Sequence, residues 1–126
     1  MEGGPLMHIQ ESGEMYLEAI YLLQKQRGHV RSVDVSEYMG YSKPSVSRAM
    51  GLLKSAGYIL MEKDGTITLT AAGQALAKKI YSRHTMLTQL LVRLGVSPEI
   101  AAQDACKMEH AISDESAAAI SRFIEG

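Results

Sequence analysis

Five residues near the C-terminal end, Cys106-Lys107-Met108-Glu109-His110, hold the side chains with the most chemistry to offer. On a helix, Cys106, Glu109 and His110 fall at i, i+3 and i+4, so a thiol, a carboxyl and an imidazole share one face within about one turn. Sulfur and nitrogen donors beside an oxygen suit a first-row transition metal, whereas calcium and magnesium take oxygen ligands. The chain has 1 cysteine, so no disulfide within the chain competes for it. The same residues also describe a buried cysteine beside a surface Glu–His pair, and the choice rests on what the rest of the chain supplies.

At 126 residues the chain makes one compact domain, or two small lobes sharing helices. Its short C-terminal part is expected to need a partner chain to complete a core. No apolar run approaches the roughly 18–20 residues of a membrane span, so no membrane partner is expected. Met1 to Gln10 has neither a basic start nor an apolar core, unlike a signal peptide. One cysteine among 8 methionines fits a reducing cytoplasm. The net charge of −1 hides an asymmetry. Residues 1–98 carry 11 Lys/Arg against 8 Asp/Glu, a surplus of three cations, and residues 99–126 carry 2 against 6, a surplus of four acids. Between Tyr41 and Leu60 stand Lys43, Arg48 and Lys54 and no acid, a local cationic surface of the kind phosphates meet.

The elements that must position these groups can be read in order. Apolar spacing at Met15, Ala19, Leu22 and Leu23 predicts a helix over 11–26, with Ser12 as cap and Gly28 just past its end. Ser32 is placed to cap a short second helix to Met39, with Val33 and Val35 inward. After the turn Gly40-Tyr41-Ser42, Ser42 is placed to cap a third helix that tolerates Pro44 in its first turn and buries Val46, Met50, Leu52 and Leu53. The runs Tyr58–Met61 and Thr66–Leu69, joined by Glu62-Lys63-Asp64-Gly65, predict a hairpin. Thr70 is placed to cap a long helix to about Leu94, some 36 Å by rise per residue, with Ala71, Ala75, Leu76, Ile80, Leu87, Leu90 and Leu91 apolar. Pro98 starts a fifth helix bearing the Cys–Glu–His face. Ser113 caps a sixth, whose seam is Ala117, Ile120 and Phe123 or Ile124. The expected fold is mainly α: a winged helix-turn-helix over 1–70 and an all-α dimerisation lobe over 71–126.

In a helix-turn-helix the second helix enters the major groove with its N-terminal residues against base edges. Here these are Ser42, Lys43, Pro44, Ser45, Ser47 and Arg48. Arg48 can read guanine, and Pro44 can meet a thymine methyl. Ser42, Lys43 and the wing residue Lys63 suit phosphates, which set affinity and register. Further candidate metal ligands are Met15 and Glu18, three apart on the first helix, and His84 on the fourth; taken singly, each also reads as packing or as a solvated surface residue.

Together these positions resemble the diphtheria-toxin-repressor (DtxR/MntR) family of iron- and manganese-dependent repressors. The resemblance is carried by Glu14-Met15-Tyr16-Leu17-Glu18-Ala19-Ile20-Tyr21, Ser42-Lys43-Pro44-Ser45-Val46-Ser47, Leu69-Thr70-Ala71-Ala72-Gly73, Arg83-His84, and Asp104-Ala105-Cys106-Lys107-Met108-Glu109-His110 followed by Ser113-Asp114-Glu115. It implies a primary activating site of the iron type at Met15, Cys106, Glu109 and His110. Manganese-type members have Asp and Glu where Met15 and Cys106 stand. Glu18 and His84 also match the Glu and His of the manganese type's second site, which here would be built from Glu18, His84 and Glu109 and completed by a water or another side chain. Companions of the iron-type ancillary site are missing, since Thr88 and Ala102 stand where a Glu and a His are expected. His8 and His29 match no ligand position and are read as a mobile-tail and a loop residue.

The function so implied is a cytoplasmic, metal-activated, homodimeric repressor binding palindromic operator DNA. Fe(II) is the expected cofactor and Mn(II) the alternative; Co(II), Ni(II) or Zn(II) can substitute in vitro. A metal-independent winged-helix regulator is the other reading. No organic substrate is expected, and with no oxyanion-hole motif or nucleophile elbow an enzyme is not expected either.

Overall fold

The computed structural model describes residues 11–126, so His8 lies outside the described residues. In order the elements are α1 (Glu11–Arg27), α2 (Ser32–Met39), α3 (Lys43–Ser55), β1 (Ile59–Met61), β2 (Ile67–Leu69), α4 (Ala71–Arg93), α5 (Pro98–Met108) and α6 (Asp114–Glu125). The chain divides into two compact units, one ending at Lys78 and the other running Lys79–Gly126, with the division inside α4.

In the first unit, α1 contributes Leu17, Ile20 and Leu23 to a core completed by Val30, Val35, Val46, Met50, Leu53, Ile59 and Ile67. Gly40 ends α2 in the left-handed conformation, φ 73°, which glycine adopts without a Cβ penalty. Two residues later Ser42 caps α3, its hydroxyl accepting the Ser45 N–H at 3.3 Å, with Pro44 in the first turn. Ser36 Oγ donates to the Tyr41 carbonyl at 2.6 Å and holds the turn between the two helices. β1 and β2 pair antiparallel in the register Ile59↔Leu69, Leu60↔Thr68, Met61↔Ile67. Their turn is fixed by Gly65 at φ 89° and by Asp64, whose carboxylate accepts the Thr66 N–H at 3.0 Å. That bond holds the Asp64 carboxyl below its ordinary pKa.

Several expectations need correction. Val33 is 40% exposed while Val35 is fully buried. Residues two apart on a helix lie about 200° apart around its axis, so one core face cannot hold both. Leu52 is 69% exposed because the buried stripe of α3 is Val46–Met50–Leu53 at i, i+4, i+7, and Leu52 lies beside it. Ile80 and Leu87 of α4 are buried as expected, whereas Ala71 and Ala75 face solvent and Gly73, Ala77 and Met86 are buried in addition. Ser12 lies inside α1, and the cap of α2 is Arg31, whose backbone N–H donates to Asp34 Oδ2 at 2.9 Å. The hairpin strands are three residues each, shorter than the runs that signalled them. A third stretch joins them: Arg31 bridges Thr66, and the Ile67 N–H donates to Val30 O at 2.7 Å.

Thr70 caps α4 as expected, accepting the Gly73 N–H at 3.1 Å while donating to Gly57 O at 2.7 Å. In the second unit, Met86 and Leu87 of α4 and Ala105 of α5 form a core flanked by Met108, Ile112, Ala117, Ile120 and Ile124. Ser113 caps α6, accepting the Ser116 N–H at 3.1 Å. The seam of α6 ends on Ile124, and Phe123 is 73% exposed. Among the described residues, no helix is long and apolar enough to cross a membrane.

Candidate functional site

The expected fifth helix ends one residue before the Glu–His pair, at Met108. Glu109 keeps helical dihedrals (φ −61°, ψ −25°), and its N–H donates to Ala105 O at 2.9 Å. Its i+3 relation to Cys106 therefore survives, and His110 lies in the turn that follows. Cys106 is half-buried.

Within the second unit the structure brings His84, Glu109 and His110 together. His84 Nδ1 lies 2.9 Å from Glu109 Oε1, and His110 Nε2 lies 3.4 Å from Glu109 Oε2. The Glu109 side chain has no exposure, His110 has 1% and His84 27%. Taking a carboxylate out of water costs several kcal/mol unless charges or hydrogen bonds compensate it. The hydrogen bond to His84 serves Oε1, and the His110 ring nitrogen stands beside Oε2. His84 and Glu109 bring a ring nitrogen and a carboxylate oxygen close enough to share one first-row divalent metal, whereas neither His110 nor Cys106 joins them in a cluster of ligand atoms among the described residues. Met15 and Glu18 stand one turn apart on α1 of the first unit, both half-buried.

Around the same corner lies a contact that sequence reasoning missed. Arg83, next to His84 on α4, donates from Nη1 to Ile112 O at 3.1 Å and from Nη2 to the Asp114 carboxylate. Lys79 Nζ lies 2.9 Å from the same Asp114 oxygen. The hydrogen bond from Lys79, its charge and that of Arg83 hold the Asp114 carboxyl below its ordinary pKa. A pair separated by 31 positions has no periodic signal in a single sequence.

On the first unit, Ser42, Lys43, Pro44, Ser47 and Arg48 are exposed along the start of α3, and Ser45 is half-buried. The Ser42 hydroxyl both accepts from the Ser45 backbone and donates to Ser45 Oγ at 2.9 Å, so its first task is to start the helix. Lys63 is exposed on the β1–β2 turn. Arg31, exposed where the third stretch meets the hairpin, is a cation that the sequence reading passed over; the β-branched Val30 between Gly28 and Ser32 was its only signal. His29 is exposed with Nε2 3.1 Å from Thr66 Oγ1, at the foot of the wing.

Residues 8–67 match the family model described as the iron dependent repressor, N-terminal DNA binding domain. Residues 70–126 match the iron dependent repressor, metal binding and dimerisation domain. The chain is 37% identical over 118 residues to the transcriptional regulator MntR of Escherichia coli O6:H1, covering 94% of this chain and 76% of that protein. It is 34% identical over 119 residues to an HTH-type transcriptional regulator of Methanocaldococcus jannaschii, covering 93% and 95%. A solved manganese-dependent transcriptional repressor in complex with manganese superposes with a TM-score of 0.81 at 27% identity, over 90% of this chain and 52% of the other. This chain thus spans about half the length of that solved relative.

Proposed function

The chain belongs to the iron-dependent repressor (DtxR/MntR) family of metal-dependent, DNA-binding transcriptional regulators, and from that premise we propose that it is an Fe(II)-responsive repressor of metal-homeostasis genes. The observation that carries the metal reading is the buried Glu109 carboxylate between His84 and His110. The preference for iron rests on Met15 and Cys106, the ligands that the family resemblance assigns beside Glu109 and His110. A thioether and a thiolate are soft donors and favour Fe(II), Co(II), Ni(II) or Zn(II) over Mn(II), which prefers oxygen. The manganese named for the solved relative supports a second reading, an Mn(II)-responsive repressor, in which Glu18, His84 and Glu109 carry the selectivity.

A bound divalent cation supplies positive charge that neutralises the buried carboxylate and fixes the ligands around it. The chain's own residues do the rest. Glu109 presents one oxygen toward each imidazole, His84 and His110 would offer ring nitrogens, and Cys106 would have to bind as thiolate, so that affinity would rise with pH and fall on oxidation. The exposed start of α3 places Lys43, Pro44, Ser47 and Arg48 for the major groove, and Lys63 for the backbone. As a dimer on a palindromic operator, the protein sets its two recognition helices in successive major grooves about 34–36 Å apart. Metal that binds the DNA-competent conformation best shifts the population toward it, and operator DNA tightens metal binding by the same factor.

The test is anaerobic calorimetric titration of the metal-free protein with Fe(II) and, separately, Mn(II). Tight Fe(II) binding with weak Mn(II) binding supports the iron reading. Equal or better Mn(II) binding transfers selectivity to the oxygen ligands. No binding of either metal would return the chain to a metal-independent regulator. In parallel, Cys106→Ala is expected to weaken metal-dependent operator binding; unchanged binding would remove Cys106 from the ligand set.

A further inference from the structure

We propose that Arg83 is a positioning residue of the metal centre, fixing the corner that presents Glu109 and His110 to His84. The inference rests on the metal-site reading above. Between the end of α5 at Met108 and the start of α6 at Asp114, the chain leaves the helix and turns. The Ala111 N–H donates to Met108 O at 3.0 Å within this turn. α4 holds this corner through side chains, with Met108 and Ile112 packed against the core that contains Met86 and Leu87 and two polar contacts beside them. His84 meets Glu109 at 2.9 Å. Its neighbour Arg83 reaches two further points with one planar guanidinium, the Ile112 carbonyl at 3.1 Å and the Asp114 carboxylate.

Two features separate this contact from an ordinary surface ion pair, which contributes little. The Arg83 side chain is only 14% exposed although its partner Asp114 is 76% exposed, whereas Lys79, which shares the Asp114 oxygen, is itself 50% exposed. Moreover, the guanidinium fork joins a backbone carbonyl to a carboxylate two residues further on, which a lysine ammonium on its flexible stem does not reproduce with the same geometry. Asp114 is the first residue of α6, so the same fork also fixes where that helix begins. Groups that orient metal ligands from behind are worth about 10–100-fold in metal affinity. Arg83 does not touch Glu109 or His110; it acts one step further out, on the backbone at Ile112 and the start of α6 that follow them.

The experiment measures Mn(II) and Co(II) affinity of the full chain by anaerobic competition with a fluorescent chelator, and records the visible spectrum of the Co(II) form. Wild type, Arg83→Gln, Arg83→Lys and Asp114→Asn are compared, with circular dichroism and thermal melts reporting the folded fraction. Folded Arg83→Gln is expected to bind about tenfold or more weakly and to show an altered Co(II) spectrum. Arg83→Lys is expected to fall between it and wild type, and Asp114→Asn to weaken binding in the same direction. A contact that only stabilised the fold would lower the melting temperature and leave the affinity and spectrum of the folded protein alone. That result in Arg83→Gln overturns the inference, and if Arg83→Gln does not fold, the same result in Asp114→Asn does so. A wild type that binds neither metal overturns the metal reading and this inference with it; a wild type that binds while the variants bind equally well overturns this inference only.

Discussion

Glu109 concentrates the chemistry of the second unit because its carboxylate has no exposure and faces a ring nitrogen through each oxygen. A glutamine of nearly the same shape keeps the packing but removes the charge that draws a cation. Glu109→Gln is therefore expected to abolish tight metal binding, a larger loss than the 10–100-fold of a supporting group, while the protein stays folded; a flat isotherm from a protein with a cooperative melt is the check. Selectivity is argued from donor softness. Met15→Asp combined with Cys106→Glu replaces sulfur by oxygen and should move preference from Fe(II) toward Mn(II), read as a reversed ratio of the two dissociation constants. Asp114 gives a pH dependence. Its folded pKa is depressed by Lys79 and Arg83, so its stabilising contribution is present above the ordinary aspartate pKa of about 3.9 and is lost as pH falls through the depressed value. Asp114→Asn should flatten the acid limb of a plot of melting temperature against pH. The i, i+3 relation of Cys106 and Glu109 was legible from helical periodicity, whereas His110 lies past the end of α5, in a turn that periodicity does not describe. The Arg83–Asp114 contact was not legible, because it depends on how two separated elements meet.

Elements were legible where local chemistry fixes them. Ser42, Thr70 and Ser113 each cap the helix they were assigned to, since a hydroxyl before a helical run satisfies an otherwise unpaired N–H. Facing was less legible: alternate valines at 33 and 35 suggested a common inward side that an α-helix of eight residues cannot provide. The third stretch of the wing, Val30-Arg31, was missed because two residues give no pattern. Gly73 shows what packing adds to the sequence. A Cβ built there would lie 2.0 Å from Tyr58 O, so the first turn of α4 rests against the backbone just before β1. The Thr70 N–H donates to that same oxygen at 3.1 Å. Gly73→Ala must push helix and strand apart. It is expected to cost about 1–3 kcal/mol, as overpacking does, despite alanine's higher helix propensity. Denaturant unfolding measures this, and an unchanged or raised stability would mean that the close approach is absent in solution.

At the scale of the whole molecule, the second unit has too little of its own to bury. α6 has no fully buried residue, and Leu94, Ile100 and Phe123 are 70%, 48% and 73% exposed. Large apolar side chains on a unit that matches a dimerisation domain are expected to meet a second copy. On the palindromic operator proposed above, each subunit would supply one recognition helix, and a monomer would forfeit the contacts of the second half-site. Phe123→Glu places a charge in that surface without touching the core of either unit, since Phe123 lies outside both. The expected outcome is a monomer at micromolar concentration by sedimentation, with metal affinity per subunit retained and operator affinity reduced. Addition of operator DNA should partly restore the dimer, because two half-sites on one duplex raise the effective concentration of one subunit for the other. If Phe123→Glu sediments as the wild type does and binds operator equally well, the dimer is built on another face of the second unit.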